Sequence, residues 1–131
     1  MTLIVNALVR LVVKLLCSLD VAELERVPRR GPLIMVTNHI NFLEVPLLYT
    51  FLQPRPVVGL VKEETWDVPP LAFLANLWKA IPVRRGAADL AAFRRCVREL
   101  RRGKILAVAP EGTRSGDGRM RKGFPGVVHI A

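Results

Sequence analysis

Short apolar runs and helix-forming segments alternate along this chain, and this alternation limits the possible folds more than any other feature. Four apolar runs are typical of buried strands, at residues 33–37, 57–61, 80–83 and 104–109. Segments with helical spacing of apolar residues lie between them, at residues 44–52, 70–78 and 88–102. The sequence therefore predicts an α/β fold, with a mostly parallel or mixed sheet flanked by helices. Gly103 stands where the last of these helices is expected to end.

The first 27 residues form a predicted segment ahead of a sheet domain at residues 28–131. Apolar residues dominate positions 3–16, and polar residues recur at every fourth position: Thr2, Asn6, Arg10, Lys14 and Ser18. This spacing draws one narrow polar stripe along an otherwise apolar helix. Because the segment is short for a bilayer span and carries two cations, we expect a helix that lies in the membrane interface. Arg10 and Lys14 would then reach toward the lipid headgroups.

Two other interpretations of this N-terminal segment are a signal peptide and a core helix. A signal peptide fits less well, because a basic n-region is missing, Arg10 interrupts the apolar run and no small-residue cleavage site follows Leu16. A core helix with a wide apolar face remains compatible with the sequence. The interface helix predicts a peripheral or monotopic protein on the cytoplasmic face of the cell membrane.

Cys17 and Cys96 lack further thiols or histidines at ligand spacing, so a disulfide framework or zinc site is not expected.

The charge of the chain favours an anionic partner. Its 131 residues include 20 Lys and Arg against 11 Asp and Glu, a formal net charge of +9, and the basic residues concentrate between positions 79 and 122. Such a charge suits an anionic phospholipid membrane. Nucleic-acid binding is not predicted, because aromatic residues make up only 6% of the chain and no DNA- or RNA-binding motif accompanies the arginines.

His39 and Glu44 form a possible acid–base pair directly after the first predicted strand. Glu44 lies five positions after His39, which in a continuous helix would place the two side chains about 140° apart, so they can meet only across a turn. The carboxylate would then accept a proton from one imidazole nitrogen and leave the other as general base for a hydroxyl nucleophile. The same residues also allow a helix-capping Asn38 beside an ordinary loop histidine.

A polar loop follows the last predicted strand, where α/β sheets place their ligand-binding loops. It has the sequence Glu-Gly-Thr-Arg-Ser at residues 111–115. This loop combines a guanidinium, two hydroxyls and a glycine that lets backbone amides approach an anion, which suits a phosphate. Arg84, Arg85 and Lys122 lie at strand or loop ends and would converge on the same ligand. The alternative is a solvated turn.

Three ordered blocks carry a family resemblance. They are Asn38-His39 with an acid five positions after the histidine, Ala-Ile-Pro-Val-Arg-Arg-Gly at residues 80–86, and Pro-Glu-Gly-Thr-Arg-Ser at residues 110–115. In this order they resemble the glycerolipid acyltransferases, notably the lysophosphatidic acid acyltransferases. The resemblance runs from about residue 33 to the C-terminus, and the apolar, basic N-terminus is similar to the membrane-engaging helices of that family.

The resemblance implies transfer of a fatty acyl group from acyl-CoA or acyl carrier protein to the free hydroxyl of 1-acylglycerol 3-phosphate, giving phosphatidic acid. The thioester is a co-substrate, and no metal or bound cofactor is implied. His39 would be the general base and Glu44 would orient it. A phosphate site would be formed by Arg85, Glu111, Gly112, Thr113 and Arg114, with support from Asn38, Arg84 and Lys122. Two alternatives stay open: another lyso-lipid or glycerol phosphate as acceptor, and a catalytically silent module that binds anionic membranes.

The sequence departs from the family pattern at three places. Glu44 stands where the family has aspartate, and Lys79 stands where it often has glycine before Ala80. The later proline-containing apolar block of the family has no counterpart beyond Lys122. The last departure predicts an incomplete domain, in which a missing strand would leave part of the sheet uncovered.

Overall fold

The computed structural model describes residues 2–84 and 89–131 and shows a four-stranded sheet with helices on both faces. The strands are β1 (Leu33–Val36), β2 (Val57–Lys62), β3 (Ile81–Val83) and β4 (Ile105–Val108). The α-helices are α1 (Thr2–Leu16), α2 (Glu44–Phe51), α3 (Pro69–Leu77) and α4 (Leu90–Arg101). Short 3₁₀ helices cover Ala22–Arg26, Glu63–Asp67 and Pro125–Val127. The predicted strands and helices are all present, with ends that differ by one or two residues.

The strands follow the order β1-β4-β2-β3, and all three pairings between them are parallel. Leu106 of β4 lies opposite Ile34 of β1 and Val58 of β2. The predicted α/β fold is confirmed, and the described sheet is parallel throughout. Strands of such a sheet are buried on both faces, which is why they appear in the sequence as continuous apolar runs. Pro82 lies in the edge strand β3, where a missing N–H is tolerated.

Successive strand residues point to opposite faces of the sheet and build two apolar clusters. On one face, the strands pack against α4; this cluster contains Val58, Leu106, Val108, Ala92, Cys96 and Leu100. On the other face, they pack against α2 and the end of α3; this cluster contains Val57, Ile105, Tyr49, Leu52 and Trp78. α1 packs on α2, so it lies on the opposite side of the sheet from α4.

α1 turns part of its polar stripe toward the protein. Asn6 is buried, and its Oδ1 accepts a hydrogen bond of 2.9 Å from Trp78 Nε1. Arg10 and Lys14 are both exposed, and the guanidinium carbon of Arg10 lies 4.7 Å from the centroid of the Phe51 ring, so the reach of these two residues toward lipid headgroups stays a prediction. The outer face of α1 is apolar: Leu3, Ile4, Leu8, Leu11, Val12, Leu15 and Leu16. Among the described residues, no helix has the length and apolarity needed to cross a membrane.

Candidate active site

His39 and Glu44 meet across the turn that joins β1 to α2. The Nδ1 atom of His39 lies 2.6 Å from Oε2 of Glu44. The other carboxylate oxygen accepts hydrogen bonds of 2.8 Å from the amides of Ile40 and Asn41, so Glu44 also closes the turn. The predicted geometry of the pair is therefore present. With Nδ1 donating to the carboxylate, Nε2 of His39 keeps its lone pair and is available to accept a proton.

The environment of Glu44 keeps its carboxylate charged. Partial burial alone would raise the pKa of this carboxyl. The hydrogen bonds from His39 and from the amides of Asn41 and Ile40 outweigh burial and lower the pKa below its ordinary value. Glu44 is thus an anion at neutral pH, the form that an orienting hydrogen-bond acceptor for His39 requires.

Asn38 does not cap the helix, contrary to the alternative interpretation of this loop. Its Nδ2 donates to the carbonyl of Gly118 at 3.2 Å, in the segment that follows the loop at residues 111–115. Leu43 is the N-cap residue of α2, and Asn41 closes a local turn before it, because its Oδ1 accepts from the amide of Leu43 at 2.7 Å. Asn38 therefore links the His39 loop to the segment after Ser115.

Glu111 lies inside the loop rather than at its ligand-facing surface. It is only 3% exposed, and its two carboxylate oxygens accept hydrogen bonds of 3.0 Å from the amides of His39 and Arg121. A buried carboxylate engaged in this way adds no attraction for a phosphate, which carries the same sign of charge. The structure thus joins Glu111 to the backbone of His39 and not to the cavity beside it.

Ser115 completes this connection from the other side of the histidine. Its amide donates to the carbonyl of His39 at 2.7 Å, and the side chain is buried with 1% exposure. Both backbone polar groups of His39 are therefore bound by the 111–115 loop. Gly112 has a φ of +65°, and an added Cβ would lie 3.1 Å from the ring of Phe124, so this turn favours glycine.

An apolar cavity of about 410 Å³ opens beside His39. Its walls come from α2, β2 and α3, and include Val45, Tyr49, Leu60, Leu71, Leu74 and Trp78. Thr113 and Arg114 also line it, so the structure brings these two predicted residues together with the histidine. A space lined by apolar side chains together with a histidine, a lysine and an arginine suits a ligand that joins an apolar chain to a charged group.

The other predicted cations are placed differently. Arg84 is exposed at the end of β3, where its amide donates to the Asp89 carboxylate at 3.1 Å, and it does not line the cavity. Lys122 is exposed and also lies outside the cavity lining. Arg85 lies outside the described residues, so its predicted role stays a prediction.

Lys62 is a cavity residue that the sequence interpretation missed. It is the last residue of β2, pairs with Val83 in the sheet and lines the cavity together with His39 and Arg114. The available signal was its position, because ligand-binding groups in parallel sheets gather at the carboxyl ends of the strands. Since β2 follows β1 in the chain but lies two places from it in the sheet, the spacing of residues gave no hint of this proximity.

Comparison with known proteins identifies the family. A family model described as Acyltransferase matches residues 18–131. The chain belongs to the acyltransferase family. A 1-acyl-sn-glycerol-3-phosphate acyltransferase from Brassica napus is 27% identical over 115 residues, which covers 86% of this chain and 33% of that protein. A lyso-ornithine lipid O-acyltransferase from Pseudomonas aeruginosa is 33% identical over 85 residues, covering 64% of this chain and 32% of that protein.

A solved structure shares the fold. The 1-acyl-sn-glycerophosphate (LPA) acyltransferase from Thermotoga maritima superimposes with a TM-score of 0.63 at 24% identity, covering 82% of this chain and 41% of that one. The chain spans about a third of the length of the first two curated relatives.

Lys79 has a backbone conformation that favours glycine, the residue that the family resemblance leads us to expect before Ala80. It follows α3 and Trp78 with a φ of +54°, the left-handed conformation that commonly ends a helix. Glycine adopts that conformation without the steric cost that a side chain adds. The departure from the family pattern at Lys79 is therefore a local backbone matter, and Lys79 does not line the cavity.

Proposed function

We propose that this protein transfers a fatty acyl group from an acyl thioester to the free hydroxyl of 1-acylglycerol 3-phosphate, giving phosphatidic acid. The observation that carries the proposal is the His39–Glu44 pair beside a largely apolar cavity that His39, Arg114 and Lys62 line together. The names of the relatives support the same reaction. The donor is acyl-CoA or acyl carrier protein.

The reaction follows from the free nitrogen of the imidazole. Nε2 of His39 accepts the proton of the acceptor hydroxyl as the oxygen attacks the thioester carbonyl, so that a C–O bond forms. Collapse of the tetrahedral intermediate breaks the C–S bond, and the imidazolium returns the proton to the departing thiolate. Glu44 stabilises the transient imidazolium and fixes the ring, as a buried carboxylate does in hydrolytic triads.

The apolar and the polar side chains that line the cavity would hold different parts of the substrates. The apolar walls accept an acyl chain and exclude water from the thioester. Arg114, Thr113 and Lys62 offer a guanidinium, a hydroxyl and an ammonium for the phosphate of the acceptor, and Arg85 remains a candidate from the family pattern. We assign Glu111 to positioning of His39, because both of its oxygens are taken by backbone amides.

The membrane is the proposed source of the acceptor. The apolar outer face of α1 carries leucines that are more than half exposed, such as Leu8, Leu11 and Leu15. A surface of this kind is typical of a helix that lies in the headgroup region of a bilayer. We propose a peripheral or monotopic position on the cytoplasmic face, with anionic phospholipids as the binding surface.

A second acceptor class is favoured by one observation. The Pseudomonas relative is named for a lyso-ornithine lipid, which shows that this family includes acceptors other than lysophosphatidic acid. The same base would then act on a lyso-lipid with a different head group, or on glycerol phosphate. The cations that line the cavity favour an acceptor that bears a phosphate over a lyso-lipid whose head group has none, and the apolar lining favours an acyl-bearing acceptor over glycerol phosphate.

The deciding experiment is thiol release from acyl-CoA by the purified protein in detergent or liposomes, with lysophosphatidic acid, lyso-ornithine lipid and glycerol phosphate as separate acceptors. We expect release and phosphatidic acid formation with lysophosphatidic acid, and their loss in His39→Ala. Equal rates in His39→Ala would overturn the proposed base. Absence of release with every acceptor, alongside retained vesicle binding, would favour the catalytically silent membrane-binding module.

A further inference from the structure

A buried hydrogen bond connects α1 to the wall of the cavity. Asn6 is 5% exposed, and its Oδ1 accepts from Nε1 of Trp78 at 2.9 Å across 72 positions of sequence. Trp78 is 6% exposed and lines the cavity beside His39. The helix with the apolar outer face is therefore in direct contact with the residue that shapes the interior of the candidate active site.

The contact extends one residue further. The Trp78 indole stacks on the ring of Tyr49, with centroids 4.9 Å apart and planes inclined by 11°. Tyr49 is 4% exposed and also lines the cavity, next to Gly59, where an added Cβ would lie 3.2 Å from its hydroxyl. The two rings thus form one rigid aromatic plate, held by α2 on one side and by Asn6 on the other.

Asn6 fixes the orientation of the Trp78 indole, but it does not maximise the stability of the fold. Its Nδ2 is buried without a hydrogen-bond partner in the described part of the chain, which is unfavourable for a polar group. A leucine at this position would bury its side chain without that cost, but it would offer the indole no acceptor. A single buried asparagine on an apolar helix fixes how that helix seats against its neighbour.

We infer that Asn6 is a positioning residue for acyl-chain selection, acting through Trp78. Asn6 of α1 accepts a hydrogen bond from the Trp78 indole, and the indole stacks on the Tyr49 ring. Together the two rings limit the space that the cavity offers to an acyl chain. The inference rests on the proposed function, because it assigns the cavity to the acyl group. It gives α1 a role in substrate selection that is separate from membrane attachment, since Asn6 faces inward and the exposed leucines face outward.

The test compares donor selectivity in matched variants of the full chain. We expect Asn6→Leu to change the ratio of kcat/KM for decanoyl-CoA and palmitoyl-CoA by about threefold or more, because a freed indole relaxes the wall. Lys14→Leu is the control: it adds the same apolar side chain to α1 at an exposed position and should leave the ratio unchanged. Trp78→Phe removes the donor and should shift the ratio as Asn6→Leu does. The double variant should add nothing further, because both changes remove one interaction.

A second measurement does not need turnover. The chain has two tryptophans, so Trp66→Phe leaves Trp78 as the only fluorophore of its kind. We expect a brominated palmitoyl-CoA to quench Trp78 and Asn6→Leu to change that quenching about twofold while Lys14→Leu does not. Active variants with an unchanged donor ratio and unchanged quenching would overturn the coupling and leave the proposed function standing. Quenching that depends on Asn6 in a protein that transfers no acyl group would support the coupling and overturn the proposed function.

Discussion

The side chain of Glu44 is one methylene longer than the aspartate of the family pattern, and its carboxylate binds both the imidazole of His39 and the backbone of the turn. One oxygen of Glu44 lies 2.6 Å from the imidazole while the other accepts two backbone amides. We expect Glu44→Ala to lower kcat about 10- to 100-fold with little change in KM for the acceptor, because the carboxylate acts through His39. Glu44→Asp should preserve or raise kcat. Steady-state kinetics would test this, and equal rates in all three proteins would remove Glu44 from the mechanism.

Glu111 could either position His39 or contact the substrate phosphate, and its sequence motif does not distinguish these two roles. As a positioning residue it fixes the amides of His39 and Arg121, both at 3.0 Å. Glu111→Ala should then lower the free energy of unfolding by about 1–3 kcal/mol, since two partly buried amides lose a charged partner. Urea denaturation measures this loss, and kcat should fall with it. An undiminished free energy of unfolding together with a raised acceptor KM would instead place Glu111 against the substrate phosphate.

Lys79 is a residue at which the family pattern predicts a gain. Its φ of +54° lies in the left-handed region, where a side chain costs about 1 kcal/mol relative to glycine. Lys79→Gly should therefore raise the free energy of unfolding by about that amount, as measured by urea or thermal denaturation. Lys79→Ala keeps the Cβ and serves as the control, with no comparable gain. A gain in both variants would assign the effect to the lost charge.

Among the elements, α4 is joined to β4 by a buried carboxylate with a defined pH response. Glu99 pairs with Lys104 and, at 2.9 Å, with Arg102. The hydrogen bond from Lys104 is the largest cause that holds the pKa of Glu99 below its ordinary value of 4.5, against the opposing effect of burial. A depressed pKa stabilises the fold above pH 4.5, and that stability is lost as the pH falls through the lower native pKa.

The corresponding measurement is Tm as a function of pH. The wild type should lose Tm as the pH falls from about 5 to about 3, and Glu99→Gln should flatten that part of the curve while lowering Tm at pH 7. Asp117→Asn is a suitable control, because Asp117 is an exposed loop carboxylate outside α4 and β4. If Tm falls equally at low pH in the wild type and in Glu99→Gln, the loss of stability comes from other carboxylates.

The elements themselves were predictable because their signals are local. Apolar runs marked β1 to β4, and the left-handed Gly103 after α4 lay at its predicted position. Trp78 lies 72 positions from its partner Asn6, and His39 lies 72 positions from its partner Glu111, so periodicity and spacing could not reveal these two contacts. Within the polar stripe of α1, Asn6 is buried while Thr2, Arg10, Lys14 and Ser18 are exposed, and the sequence could not single out Asn6, because a polar residue that faces solvent and one that meets a buried indole look alike in sequence.

At the scale of the whole molecule, apolar and basic surfaces lie on opposite sides of the sheet. The exposed leucines belong to α1, which packs on α2. The exposed arginines of α4 cover the other face: Arg94, Arg95, Arg98, Arg101 and Arg102. One flat bilayer surface cannot contact both sides at once. If α1 lies in the headgroup region, the arginines of α4 face the aqueous phase.

This arrangement predicts which surface governs membrane binding. Leu8→Ser with Leu15→Ser should reduce partitioning onto anionic vesicles about tenfold or more, because each leucine loses part of its apolar burial. Arg94→Ser with Arg95→Ser removes two charges from the opposite face and should change partitioning less than about twofold at physiological salt. Vesicle sedimentation over a range of salt concentrations measures both, with Tm confirming that each variant is folded. Binding that depends on the arginines and not on the leucines would show instead that the α4 face contacts the bilayer. The only role left for α1 would then be its contact with Trp78 through Asn6.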